Sequence, residues 1–284
     1  MRTPLSTASP RTGTAPALRT PARFGDLVAA EWIKIRSLRS TPWTLALTTL
    51  FVIGCAVVAA VADVRELAHP APGARPPQGF LPFTAFPPAG CLTLVLVAGG
   101  VGAVSLTGEY GSGLIRTTTV AVPARGAVVL AKAVVLAALW TVLGAVVATG
   151  SFFASQAVLD GQHAGVGFTH PGVARALVAA TLVAPVAALT GLGLGALIRH
   201  GGATVAAVAF TLLMLPTMLS SGTRWSADLR NAMVTTAWGR LAQNWDTSGT
   251  LGYPPTVAGS WAVYLLWPLV SVAVAVLLVR RRDV

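Results

Sequence analysis

The 284-residue chain is 54% hydrophobic and only 10% charged, against about 25% charged residues in a typical soluble domain, and its mean hydropathy is +0.72. Such a composition argues against an ordinary soluble enzyme. A net charge of +11 would point to nucleic acid on a soluble chain, but here the basic residues fall between apolar runs, where they act as topology signals instead.

Residues 1–22 contain five threonines, four prolines and three arginines with almost no large apolar residue, which predicts a disordered, solvated cytoplasmic tail. The next segment, 24–39, is different. Phe24, Leu27, Val28, Ile35 and Leu38 stand at offsets 0, +3, +4, +11 and +14, on one face of a 3.6-residue helix. Lys34, Arg36 and Arg39 stand off that face or at its edge. A basic amphipathic helix of this kind lies in the membrane interface, with Trp32 and Trp43 at headgroup level. Thr41-Pro42 is expected to break the chain before the first span.

Six charge-free runs follow: 43–62, 89–107, 133–155, 176–198, 203–221 and 257–279. Each has 19 to 23 residues, the length that a helix needs to cross a hydrocarbon core of about 30 Å. Barrel strands would be about ten residues long and alternate polar with apolar, whereas these runs are continuously apolar. The first run begins only at Trp43, so it reads as a retained helix rather than a cleaved signal. Cys55 and Cys91 lie within apolar runs and read as buried small hydrophobes.

With the N-terminus inside, the inner segments hold 14 of the 20 Lys and Arg residues and the outer segments 6. This bias places both termini in the cytoplasm. Between the spans, 63–88 is proline-rich and reads as extended. Arg199-His200-Gly201-Gly202 reads as a tight turn between spans four and five. In the last outer loop, Trp225, Leu229, Met233, Ala237 and Leu241 recur every four residues, which predicts a short helix lying on the bilayer. Pro185, Pro216 and Pro268 fall inside spans and predict bends. Gly191-x-x-x-Gly195 predicts close helix packing within the subunit. Trp140, Phe152, Phe153, Phe210 and Trp267 fit lipid-facing or core positions better than a substrate path.

No phosphate-binding G-x-x-x-x-G-K-[ST] run occurs, and the glycines at 191–195 lie in an apolar span with no lysine. The four histidines are scattered, so a metal site is not indicated. None of the six runs carries an ionisable residue, and Glu109 and Lys132 stand at span ends. This argues against proton-coupled transport, which usually uses a carboxylate within the membrane. The remaining segment of interest is the inner loop 108–132. Glu109 marks the exit of the second span, and Gly108, Gly111 and Gly113 permit close approach of another backbone.

The run Gly108-Glu109-Tyr110-Gly111-Ser112-Gly113, followed by Ile115-Arg116-Thr117-Thr118, resembles the inner-loop signature of permease subunits of ATP-binding-cassette transporters of the second exporter superfamily. Ala30-Glu31-Trp32-Ile33-Lys34-Ile35-Arg36 and the closing Arg280-Arg281-Arg282-Asp283 resemble its small bacterial members. The resemblance covers about residues 24–284. It implies an all-α integral membrane protein with six transmembrane helices, an N-terminal interfacial helix and a single permease domain over 23–284.

The resemblance also implies partners: a second permease copy, as homo- or heterodimer, and a separate ATP-binding-cassette ATPase subunit. ATP and Mg would be bound by that subunit and no cofactor by this chain, which would be non-catalytic. Carried over, Glu109, Tyr110, Gly111, Ser112, Gly113 and Arg116 form the ATPase-coupling loop. Charge reversal at Glu109 is then expected to uncouple hydrolysis from transport and leave membrane insertion intact. No substrate-binding residue carries over. Charge-free spans suit an apolar or amphipathic cargo (a drug, lipid or peptide) exported across a cell membrane, in this family the bacterial plasma membrane. Partners are thus protein and membrane lipid, with no nucleic acid. The alternatives are a secondary carrier or channel, or a membrane-embedded enzyme or anchor without an ATPase.

Overall fold

The computed structural model describes residues 23–69, 85–112, 125–161, 163–220, 222–242 and 252–281. Among these residues there is no strand. In chain order the helices are α1 (Phe24–Ser37), α2 (Ser40–Ala68), α3 (Pro88–Gly111), α4 (Arg125–Asp160), α5 (Val173–Ile198), α6 (Gly201–Met218), α7 (Arg224–Asn231), α8 (Val234–Ala242) and α9 (Val257–Arg281). Six of them, α2 to α6 and α9, are long and apolar enough to cross a membrane, and they coincide with the six predicted runs. The chain is an all-α, multi-pass membrane protein.

Most of the helices outrun their apolar runs at one end or both, whereas α6 stops at Met218, short of residue 221. The third span was expected from residue 133, but α4 starts at Arg125 and has 36 residues, about 54 Å of helix at 1.5 Å per residue. It therefore extends well beyond a core of about 30 Å. Hydropathy marks the part of a helix that meets lipid. Nothing makes the helix stop there while its next residues still favour helix or pack on a neighbour.

One break lies elsewhere than expected, and another is shorter. The chain leaves α1 at Leu38-Arg39 rather than at Thr41-Pro42. Pro42 is the third residue of α2, in the first turn, where a missing N–H breaks no helical bond. Between α5 and α6 the break is only Arg199-His200, and Gly201 and Gly202 already belong to α6. Arg199 takes the left-handed conformation (φ 58°) and closes α5 through its N–H on Gly195 O. The His200 ring accepts from Ala203 N and so caps α6.

α5 is the centre of the bundle, packed by α3, α4 and α9, with α2 on α3 and α4, and α6 on α3 and α5. Its sequence explains the position. Small residues occupy several of its faces, so three neighbours can approach to backbone distance, where packing rather than hydrophobic transfer holds helices together in lipid. A Cβ at Gly191 would overlap the Gly99 carbonyl of α3, and one at Gly102 of α3 would overlap Ala188 O of α5. Gly191-x-x-x-Gly195 is thus an internal seam against α3, while the intervening Gly193 meets Ser271 of α9.

The prolines are accommodated by neighbours. Pro185 lies inside α5 and deprives Thr181 O of its usual i→i−4 donor. That carbonyl faces Gly144 of α4 at a separation that leaves no room for a side chain. In α6 a π-helical turn, Phe210–Met214, precedes Pro216. Leu212 O, the carbonyl that Pro216 cannot serve, accepts from Thr235 Oγ1 of α8 at 3.3 Å, a re-satisfaction of the kind that keeps proline tolerable in a membrane helix.

The four-residue rhythm of the last loop divides into two helices, α7 and α8, with a break at Ala232-Met233. Trp225 and Leu229 are exposed, as a helix on the bilayer requires, but Met233, Ala237 and Leu241 are buried, with α8 packed on α5 and α9. Trp267 Nε1 of α9 donates to Ala232 O at 2.7 Å and pins the break. Trp267→Phe is expected to weaken the docking of α7 and α8 by about 0.5–1.5 kcal/mol, the net worth of one hydrogen bond. Faster amide exchange over α7 and α8 would register it, and an unchanged exchange pattern would show that the bond holds nothing.

The tail 1–22, residues 70–84 of the proline-rich loop, residues 243–251 of the last loop, and Arg282 and Asp283 lie outside the described residues.

Candidate functional site: a closed ring of buried charges

The amphipathic helix forms as its spacing predicts, and it packs mainly against α4. Its most buried residue is not one of the five apolar positions but Glu31, 3% exposed. Glu31 stands at offset +7 from Phe24, in the middle of the apolar stripe, whose central residues Leu27, Val28 and Ile35 are half-buried while Phe24 and Leu38 at its ends stay exposed, so docking the middle of the stripe takes a carboxylate inside. An unpaired charge there would be expensive.

The structure supplies two ammonium groups and a second carboxylate. Glu31 Oε1 accepts from Lys34 Nζ at 2.5 Å, one turn along α1. Glu31 Oε2 accepts from Lys132 Nζ of α4 at 2.5 Å. Glu109 Oε1, near the end of α3, accepts from both Lys34 and Lys132 at 3.0 Å. The four groups close a ring of alternating sign with zero net charge that joins α1, α3 and α4. The Lys132 side chain is 5% exposed and that of Glu109 10%, while Lys34 is the partly open member. Burial alone would push the Lys34 ammonium down. The hydrogen bonds it donates to Glu31 and Glu109, with their charges, outweigh burial and hold it above its ordinary range, so it is protonated at neutral pH.

Next along α3, the Tyr110 ring lies under the Arg199 guanidinium, 4.9 Å from the cation to the ring centroid. This contact joins the inner-loop signature to the α5–α6 turn, through an arginine held at positive φ. Tyr110 Oη and Arg199 Nε and Nη2 are buried without hydrogen-bond partners among the described residues. Gly111 is the last residue of α3, and Ser112 Oγ donates back to Gly108 O at 2.8 Å. Gly113 and Arg116 lie outside the described residues.

Glu109 is therefore an internal group and not an exposed hook. Charge reversal there would set three ammonium groups against one carboxylate in a nearly dry site. The Glu109→Lys variant thus tests the junction's stability as much as any coupling, and Glu109→Gln, which keeps shape and one acceptor, is the cleaner probe.

Beside the ring, α1, α2, α3 and α4 enclose a cleft of about 560 Å³. At one end lie the ring and the hydroxyl residues Ser37, Ser40 and Thr41. The other end is walled by Leu45, Val101, Leu136 and Leu139. The aromatic residues noted in the sequence do not share this cavity. Trp140 and Phe152 are core, and Phe153 and Phe210 face outward.

Sequence reading found Glu109 through the inner-loop motif but missed Lys34 and Lys132 as its partners and Glu31 as the second carboxylate of the ring. A signal was present for Glu31, since a carboxylate in the middle of an apolar stripe demands a cation from another helix. Nothing local identified which lysines would answer. Compared with known proteins, the chain matches no family model and no curated protein.

Proposed function

We propose that the chain is the permease subunit of an ATP-driven exporter, moving an apolar or amphipathic substrate with energy from ATP hydrolysed, with Mg, in a separate ATPase subunit. A second permease copy completes the pathway. In this reading both termini face the cytoplasm of a bacterial cell, and the charge ring lies at the cytoplasmic end of the bundle.

The observation that carries the proposal is the junction. The ring ties the interfacial helix to the ends of α3 and α4, immediately beside the loop with the signature residues. A load applied to that loop reaches three helices at once through groups that cannot separate without exposing buried charge. α3 passes it to α5, the central helix, across a seam packed backbone to backbone. ATP binding would then shift the bundle between two states by differential affinity of the docked ATPase for each. Glu109 and Tyr110 act here as positioning residues for the loop, and Gly111 and Ser112 end α3 where the loop begins.

Purification of the tagged chain in mild detergent, followed by mass identification, tests this. Recovery of an ATPase carrying a phosphate-binding loop is the expected result. A chain recovered alone, together with transport by vesicles containing nothing else, would overturn it.

A further inference from the structure

The cleft beside the ring combines features that the export reading does not use. One face of α3 lines it with Gly100, Val104, Gly108 and Ser112, four residues apart. A Cβ at Gly100 or Gly108 would meet nothing within 4 Å, so these glycines face open space rather than a neighbouring helix. From Glu109 to Gly100 the cleft runs about 13 Å along the helix axis at 1.5 Å per residue, with the charges at one end, the Thr44 and Ser105 hydroxyls part-way along and aliphatic walls at the other. That gradient matches the boundary between headgroups and acyl chains, where an interfacial helix such as α1 sits.

The polar end has unused hydrogen-bonding capacity of both signs. An ammonium has three donors, and Lys34 spends two within the ring, leaving one. Glu109 uses only Oε1. Its Oε2 makes no hydrogen bond among the described residues and is not among the sealed-off polar atoms, although the residue is more than nine-tenths buried. A free donor and a free carboxylate oxygen thus stand next to each other on the cleft wall, in a site of zero net charge.

From this we infer that the cleft seats a membrane phospholipid with a zwitterionic, primary-amine headgroup. The phosphate accepts from Lys34 and the ammonium donates to Glu109 Oε2. One of its two acyl chains runs along the bare face of α3 between Leu45, Leu136 and Leu139. Phosphatidylethanolamine has this chemistry. Phosphatidylcholine carries the same charges but no N–H to donate, and phosphatidylglycerol brings a net negative charge that a neutral ring does not offset. The site stands whether or not the chain exports anything.

The test is native mass spectrometry of the full chain released from nanodiscs containing phosphatidylethanolamine, phosphatidylcholine and phosphatidylglycerol in equal parts. The ethanolamine lipid is expected to be retained roughly tenfold over the choline lipid, the factor supplied by one charge-assisted hydrogen bond. Glu109→Gln should level the two. Gly108→Leu and Gly100→Leu, whose Cβ atoms would meet nothing within 4 Å, should fill the cleft and remove the adduct while the protein stays monodisperse. Equal retention of the amine and choline lipids by the unaltered chain would overturn the assignment. So would preferential retention of phosphatidylglycerol, or an adduct that survives both glycine substitutions.

Discussion

Replacing Lys132 by methionine is expected to destabilise the junction of α1, α3 and α4 by about 3–5 kcal/mol, the range for breaking a buried ion pair from one side. Lys132 is the ring member that both carboxylates share and that solvent scarcely reaches. Without it, Glu31 and Glu109 are left with Lys34 alone, which is partly open to solvent. Methionine preserves most of the stem's packing, so the loss reports charge rather than volume. The expected readouts are a lower midpoint of thermal unfolding in detergent and protease cleavage at Leu38-Arg39 once α1 lifts away. Adding Glu31→Gln should restore much of the loss, because removing both members of a buried pair is far milder than removing one. A single variant as stable as the original chain would mean that the ring holds nothing together. A double variant no better than the single would assign the loss to packing.

The second large effect concerns the seam between α3 and α5. Gly102→Val is expected to disrupt the bundle. Its Cβ would fall on the backbone of Ala188, which cannot rotate aside as a side chain can, and overpacking typically costs about 1–3 kcal/mol even where side chains give way. Because α5 is the helix that most others touch, displacing it spreads strain to α4 and α9. The control is on the same helix. Gly108→Ala meets open space and should be neutral or stabilising by up to about 1 kcal/mol, the helix-propensity difference between the two residues. Folded yield and monodispersity on size exclusion distinguish them. If both variants behave alike, the contrast between the two glycines drawn from the packing is wrong.

The two substitutions also show how far a linear reading reaches. Gly102 and Gly108 are both glycines of one helix, six residues apart, and both look permissive in the sequence. One is pressed against another backbone and the other opens on a cleft, a difference that belongs to the partner helix and not to the local residues. The Gly191-x-x-x-Gly195 pattern was legible as a packing surface, but α3 as its partner was not. The helix expected in the last loop was legible up to Asn231. Its second half, α8, turned inward to pack on α5 and α9 and to supply Thr235 to the carbonyl left over by Pro216. The break before α2 was misplaced by three residues because proline was read as a helix breaker, whereas in a first turn it is a starter.

What the linear chain determined by itself is the number of spans, their places and the amphipathic helix ahead of them. These depend on how many consecutive residues can lie in hydrocarbon and on a 3.6-residue rhythm, both local quantities. Only the folded bundle decided that Glu31, Lys34, Glu109 and Lys132 meet, that the result is neutral, and that one donor and one carboxylate oxygen remain beside an open cleft. Buried charges choose partners across helices 75 and 101 residues apart in the chain, and the distances that make a ring out of four scattered residues exist only once the helices have packed.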